Sequence, residues 1–155
     1  MTGVQTCALP ICNEVFSREE KERIVLSIRE AERRTSAEIR VFVERRCRFV
    51  DPLDRAAELF WQLRMEHTEK KNAVLVYVAV RDHQYAVYAD EGIHKALGEK
   101  FWNEEVASYG QYFQRQPVPE ALVQVVDAVG RALKGPFPFD PDTDRNELSD
   151  EIVFG

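Results

Sequence analysis

Hydrophobic and polar positions alternate along this chain in blocks whose period changes from helical to extended and back. "SREEKERIVLSIREAERRT" places Ile24, Ile28 and Ala31 on one face with charges opposite, a helical period. Ser17 followed three residues later by Glu20 makes a capping box at its start. "EIRVFVE" then alternates Ile39, Val41 and Val43 against Arg40, Phe42 and Glu44, a strand with one better-buried face. Asp51 and Pro52 supply a cap and a first-turn proline for a helix running to about Met65. Its inward stripe is expected at Leu53, Ala56, Ala57, Phe60 and Leu63.

"AVLVYVAV" at 73–80 is continuously apolar, as a strand buried on both faces must be. "RDH" turns the chain and "QYAVYAD" returns it, so 73–90 reads as a hairpin. The first two strands, joined through a helix, predict a right-handed parallel βαβ unit. A helix is expected near 99–114, carrying Phe101, Trp102, Val106, Tyr109 and Phe113. Another starts at Pro119 with Leu122, Val125, Val126, Val129 and Leu133 at helical spacing. After Gly135 the chain is acidic and proline-rich. The expectation is one α/β domain over 13–135: a small mixed sheet of a βαβ unit plus a hairpin, covered by helices as an α/β/α sandwich. A tail over 136–155 follows it.

Residues 1–12, "MTGVQTCALPIC", fit no block. No basic residue precedes Glu14, and Gln5 and Thr6 interrupt the apolar run, so the stretch lacks the parts of a secretory signal. It resembles the in-frame translation of a common sequencing-library adapter, an initiating GTG being read as Met, which matches from Met1 to Ile11. It is expected to lie loosely off the domain as a foreign leader, with the native N-terminus missing.

Composition narrows the function classes. The net charge of −6 falls wholly outside the uncharged leader. An acidic chain whose one basic cluster is "RRCR" at 45–48 disfavours nucleic acid or anionic membrane as a partner. No apolar run nears the roughly 20 residues of a membrane helix. With Cys7 and Cys12 in the leader, Cys47 stands alone, which suits a reducing, cytoplasmic compartment, although a lost N-terminus leaves export open. Oligomeric state is not legible.

Candidate chemistry is sparse. "DPDTDRNELSDE" sets Asp140, Asp142, Asp144 and Glu151 at calcium-loop spacing, but Arg145 stands where glycine must turn and Glu147 where an aliphatic belongs. A solvated acidic tail is the simpler reading. His67, His83 and His94 have no ligand spacing, and Leu53 stands six residues after Cys47, where a cysteine-phosphatase loop needs arginine. Ligands of α/β folds gather beyond the carboxyl ends of parallel strands, here Arg45, Asp51, Arg81, Asp82 and His83. Asn72 and the Asp90-Glu91-Gly92 segment fall at the opposite end. The bland alternative makes Asn72 and Gly92 turn residues and the acids helix caps.

At "KKNAVLVYVAVRDHQYAVYADEGI" the chain resembles the TPM domain family, named partly after thylakoid-lumen proteins of photosystem repair. Asn72, Val74 and Leu75 match the start of its acidic-Asn-Gly-Val motif, and Gly92 matches the last glycine of its Gly-Tyr-Gly. "ERRTSAEIRVFV" is similar to the family's approach to its first strand, "DRAAELF" to the next helix, and "RNELSDEIVFG" to the end of a compact, membrane-free subgroup. Ala73 and Asp90 replace family glycines, and His83 stands where many members have arginine. The resemblance implies either a weak acid phosphatase or an assembly or repair factor.

The expected function is a non-catalytic protein-binding module. Leu148, Ile152 and Phe154 are apolar anchors among acids, suited to docking back on the domain or to gripping a partner. The alternative is a weak phosphatase using a divalent cation held by Asp82, Asp90 or Glu91. Asn72, Asp82, His83, Asp90 and Glu91 are the candidate ligand residues.

Overall fold

The computed structural model describes residues 15–47, 50–68, 71–141 and 152–155. In order they form α1 (Arg18–Glu32), β1 (Glu38–Glu44), α2 (Pro52–Gln62), β2 (Ala73–Ala79) and β3 (Gln84–Ala89). There follow α3 (Glu91–Lys100), a π turn (Phe101–Glu105), α4 (Val106–Ser108), α5 (Gly110–Arg115), α6 (Val118–Leu133) and β4 (Ile152–Phe154).

The sheet has the order β3-β2-β1-β4. β1 runs parallel to β2 and to β4, while β2 and β3 are an antiparallel hairpin. Side-chain alternation divides the sheet into two faces. Val41, Val76 and Val87 point to a layer made by α1, α6 and Ile93 of α3; Phe42, Leu75 and Tyr77 point to α2. The result is the expected mixed sheet between helical layers. Every residue of β2 is buried, the reason its seven residues carry no polar alternation.

Local signals account for the helix starts. Ser17 Oγ accepts from Glu20 N at 3.1 Å, and Ser17 N donates to Glu20 Oε1 at 2.7 Å, the capping box read from the sequence. Asp51 Oδ1 accepts from Leu53 N at 2.9 Å. α1 and α6 lie against each other, held by their apolar faces and by the ion pairs Arg23–Glu120 and Arg34–Asp127.

Three expectations are corrected. The helix foreseen near 99–114 begins at Glu91, because Asp90 is an N-cap. It then breaks at Gly98, whose φ of 79° no ordinary helix residue adopts, and resumes through the π turn. The inward stripe of α2 contains Leu59 and not Leu53, which is 50% exposed in the first turn. α2 also stops at Gln62, followed by Arg64 with φ 57°.

Ile152 and Phe154 pair with β1 as β4, so these two anchors dock back on the domain. The Phe154 ring meets Phe16 edge-on at 6.1 Å and lies under the Lys21 ammonium. Leu148, the calcium-like stretch beyond Pro141, and the leader lie outside the described residues.

Candidate functional site

The rim at the carboxyl ends of β1 and β2 is tied up internally. Glu44 accepts from Arg55 Nε and Nη2, both at 3.0 Å, and from the Tyr77 hydroxyl. Burial, then the hydrogen bond to Glu44, pushes the Tyr77 phenol far above the usual tyrosine range. Glu44 in turn raises the Arg55 guanidinium, which stays charged at any physiological pH. Asp82 Oδ2 accepts from Cys47 N at 2.6 Å, and Cys47 Sγ donates to Val50 O at 3.4 Å. His83 is exposed with φ 54°, the left-handed end of the Val80–His83 loop. These bonds spend the rim's acceptors on tying loops to strands.

The opposite end of β2 differs. Asn72 is 1% exposed; its N–H donates to Thr68 Oγ1, its Nδ2 donates to Ser36 O, and its Oδ1 is buried without a partner. Asp90 faces Ala73 on the ladder, its Oδ1 accepts from Glu91 N at 2.8 Å, and its Oδ2 is buried without a partner. Two orphaned oxygens thus occur one residue apart on the ladder, with exposed Glu91 next in the chain. A buried acceptor left bare costs about 1–3 kcal/mol. Each of the two is an acceptor that a donor group or a cation would satisfy.

Asp82 belongs to neither oxygen. It precedes β3 and Asp90 follows it, so six residues of strand at ~3.4 Å each hold them roughly 20 Å apart. Asp82, Asp90 and Glu91 therefore do not converge, and among the described residues no group of three or more His, Cys, Asp or Glu side chains does. Of the candidate ligand residues, Asn72, Asp90 and Glu91 lie at this end of the sheet and Asp82 and His83 at the other.

One concavity among the described residues is one that residue-type reasoning missed. A groove of about 820 Å³ runs along β3, its floor formed by Tyr85 to Ala89. One wall is the start of α2, with Pro52 and Leu53; the other carries His94, Trp102 and Val106. The His94 and Trp102 rings stack at 5.1 Å, and Trp102 Nε1 is buried without an acceptor. Tyr85 braces this wall, donating its hydroxyl to Val106 O at 2.7 Å. The available signal was an exposed Leu53 in a capped first turn together with a tryptophan in an interrupted helix.

No helix of the described residues is long and apolar enough to cross a membrane. Comparison with known proteins places the chain. No curated protein matches it. It is similar to the BA42 protein of the psychrophilic bacterium Bizionia argentinensis, solved by NMR. The two are 37% identical with a TM-score of 0.83, over 92% of this chain and 97% of that one. It shares its fold with the N-terminal domain of the cg2496 protein of Corynebacterium glutamicum. There the identity is 12% and the TM-score 0.59, over 90% of this chain and 80% of that one. The TPM domain profile matches residues 13–132. With that match spanning most of its length, the chain belongs to the TPM domain family.

Proposed function

We propose that this TPM domain is a non-catalytic protein-binding module of the assembly or repair kind, with the β3 groove as its contact surface. The observation that carries the reading is the groove itself: a largely apolar trough with one aromatic wall beside an edge strand. At the carboxyl-end rim Glu44 and Asp82 accept structural bonds, which favours the groove as the contact surface. Ile152 and Phe154 are occupied in β4, so the groove rather than these anchors is the surface offered to a partner.

The test places a photoreactive phenylalanine analogue at Leu53, in the groove wall, or at Leu26, 54% exposed on α1, in cells of the source organism. Discrete adducts from position 53 and none from position 26 are expected. Equal labelling at both positions, or none at either, counts against the module.

A second reading, a weak metal-assisted phosphatase, is supported by the orphaned oxygens of Asn72 and Asp90. With Glu91 they would hold a divalent cation, which would supply charge for a phosphoryl oxygen. Turnover of a generic phosphoester by the pure protein that disappears on chelation and in Asp90→Asn is its signature. Activity surviving both would be contamination.

A further inference from the structure

We infer that the outer edge of β3 takes up an extended segment of a partner protein as an added strand. This rests on the protein-binding reading and specifies how the groove is filled. The argument begins with the ladder. Asp90 N donates to Ala73 O at 2.9 Å, which makes Ala73–Asp90 a hydrogen-bonded pair. Bonded and open pairs alternate along an antiparallel ladder. Gln84, Ala86 and Tyr88, in register with Ala79, Tyr77 and Leu75, therefore spend their backbone groups on β2. Tyr85, Val87 and Ala89 turn theirs the other way.

β3 is the terminal strand of the sheet, so those groups meet no further strand. Among the described residues no loop or helix backbone bonds to them either. An incoming chain in register would close up to about six hydrogen bonds.

The same geometry selects the occupant. A helix has no free backbone groups to offer an edge. A second copy of this domain brings helices on both faces of its own β3, and these would collide with the α2 and Trp102 walls. The edge is recessed between those walls, Val87 being 4% exposed and Ala89 8%. What fits is a single extended segment of about five to seven residues, at ~3.4 Å each along the floor. Its alternate side chains meet Leu53 on one side and Trp102 with Val106 on the other. Both contacts are apolar, so the segment is a β-branched or aromatic run.

Heptapeptides selected from a random displayed library on the full chain provide the probe, each synthesised plain and with alternate backbone nitrogens methylated. Amide exchange by NMR is the primary readout. In the free protein the amides of Tyr85, Val87 and Ala89 exchange at least 10-fold faster than those of Ala86 and Tyr88. Bound peptide slows the fast set at least 10-fold and shifts the Trp102 indole signal. N-methylation and Leu53→Arg each weaken binding at least 10-fold, and Leu53→Arg leaves the unfolding midpoint unchanged.

Slow exchange of Tyr85, Val87 and Ala89 in the free monomer overturns the edge assignment. A sedimenting dimer with those amides protected overturns the peptide in favour of a second copy. Peptides that bind another face sink strand addition while leaving the protein-binding reading standing. Failure of the library to yield any binder, together with absent photo-adducts, sinks both.

Discussion

Gly130 faces Ala31 where α6 crosses α1, and replacing it with alanine sets two known effects against each other. A Cβ at this position would lie 2.8 Å from Ala31 Cβ and 3.2 Å from Ala31 Cα. Carbon atoms prefer about 3.5–4.0 Å, and Ala31 has no rotamer to give, so the helices must part by roughly 1 Å. In favour of Gly130→Ala stands about 1 kcal/mol of helix propensity and about 0.8 kcal/mol for one buried methyl. Against it stands overpacking at about 1–3 kcal/mol. A parting of that size also costs Ile24, Ile28, Val125 and Val129 a quarter to a half of their contact wells across the seam. The loss wins: Gly130→Ala should destabilise by about 1–2 kcal/mol, seen as a lower urea midpoint at unchanged slope. The decisive step is a double-mutant cycle. In an Ala31→Gly background the 2.8 Å clash is gone and only the 3.2 Å approach to the residue-31 Cα remains, so Gly130→Ala should be less destabilising there by about 1 kcal/mol. If Gly130→Ala has the same effect in both backgrounds, to within about 0.3 kcal/mol, the two helices do not meet at this pair.

Alkaline stability tests the buried phenols. Tyr77 and Tyr109 are raised above the tyrosine range by burial first, then by Glu44 and Glu105 respectively, and burial also raises Tyr85. Raised phenols keep their protons in the folded chain while the unfolded chain loses them, so this contribution is full below about pH 10 and falls above it. The stability difference between the wild type and Tyr77→Phe should shrink by about 1.4 kcal/mol per pH unit above pH 10, and a flat difference refutes the assignment. Glu44→Ala removes two of the Arg55 carboxylate bonds, leaving the one to Glu58, and leaves the Tyr77 hydroxyl bare, costing about 2–4 kcal/mol in urea unfolding. Tyr77→Phe leaves both Arg55 bonds intact and should cost only about 1 kcal/mol; equal losses would show that Glu44 is not the hub.

The fold was legible wherever one residue type has one physical use. An unbroken apolar run has no place but the middle of a covered sheet, and 73–79 went there. A serine three residues before a glutamate, or an aspartate before a proline, has a capping role that needs no tertiary contact, and α1 and α2 start accordingly. Asp90 shows the limit. The simpler reading made the acids helix caps, and Asp90 is one, yet no helix was placed directly after it, the next being expected near 99–114. Gly98 ends regular helix through its own φ, yet glycine in a helical pattern is common enough that the break and the π turn leave no sequence mark.

The groove was illegible for a different reason: its floor is backbone, and its openness depends on where another strand goes. β3 is an edge only because β4, three residues at the far end of the chain, pairs with β1 instead. Ile152 lies against the α1–α6 side, Val153 packs on the α2 side and Phe154 against Phe16, so the β1 edge gives β4 neighbours on both faces. At the β3 edge a concavity remains between the start of α2 and the Trp102 wall. Residue patterning specifies faces, because faces are made of side chains. It is nearly silent on edges, which are decided by strand order, and strand order here turns on which side of the sheet offers a three-residue strand the better packing. The candidate binding surface follows from that choice.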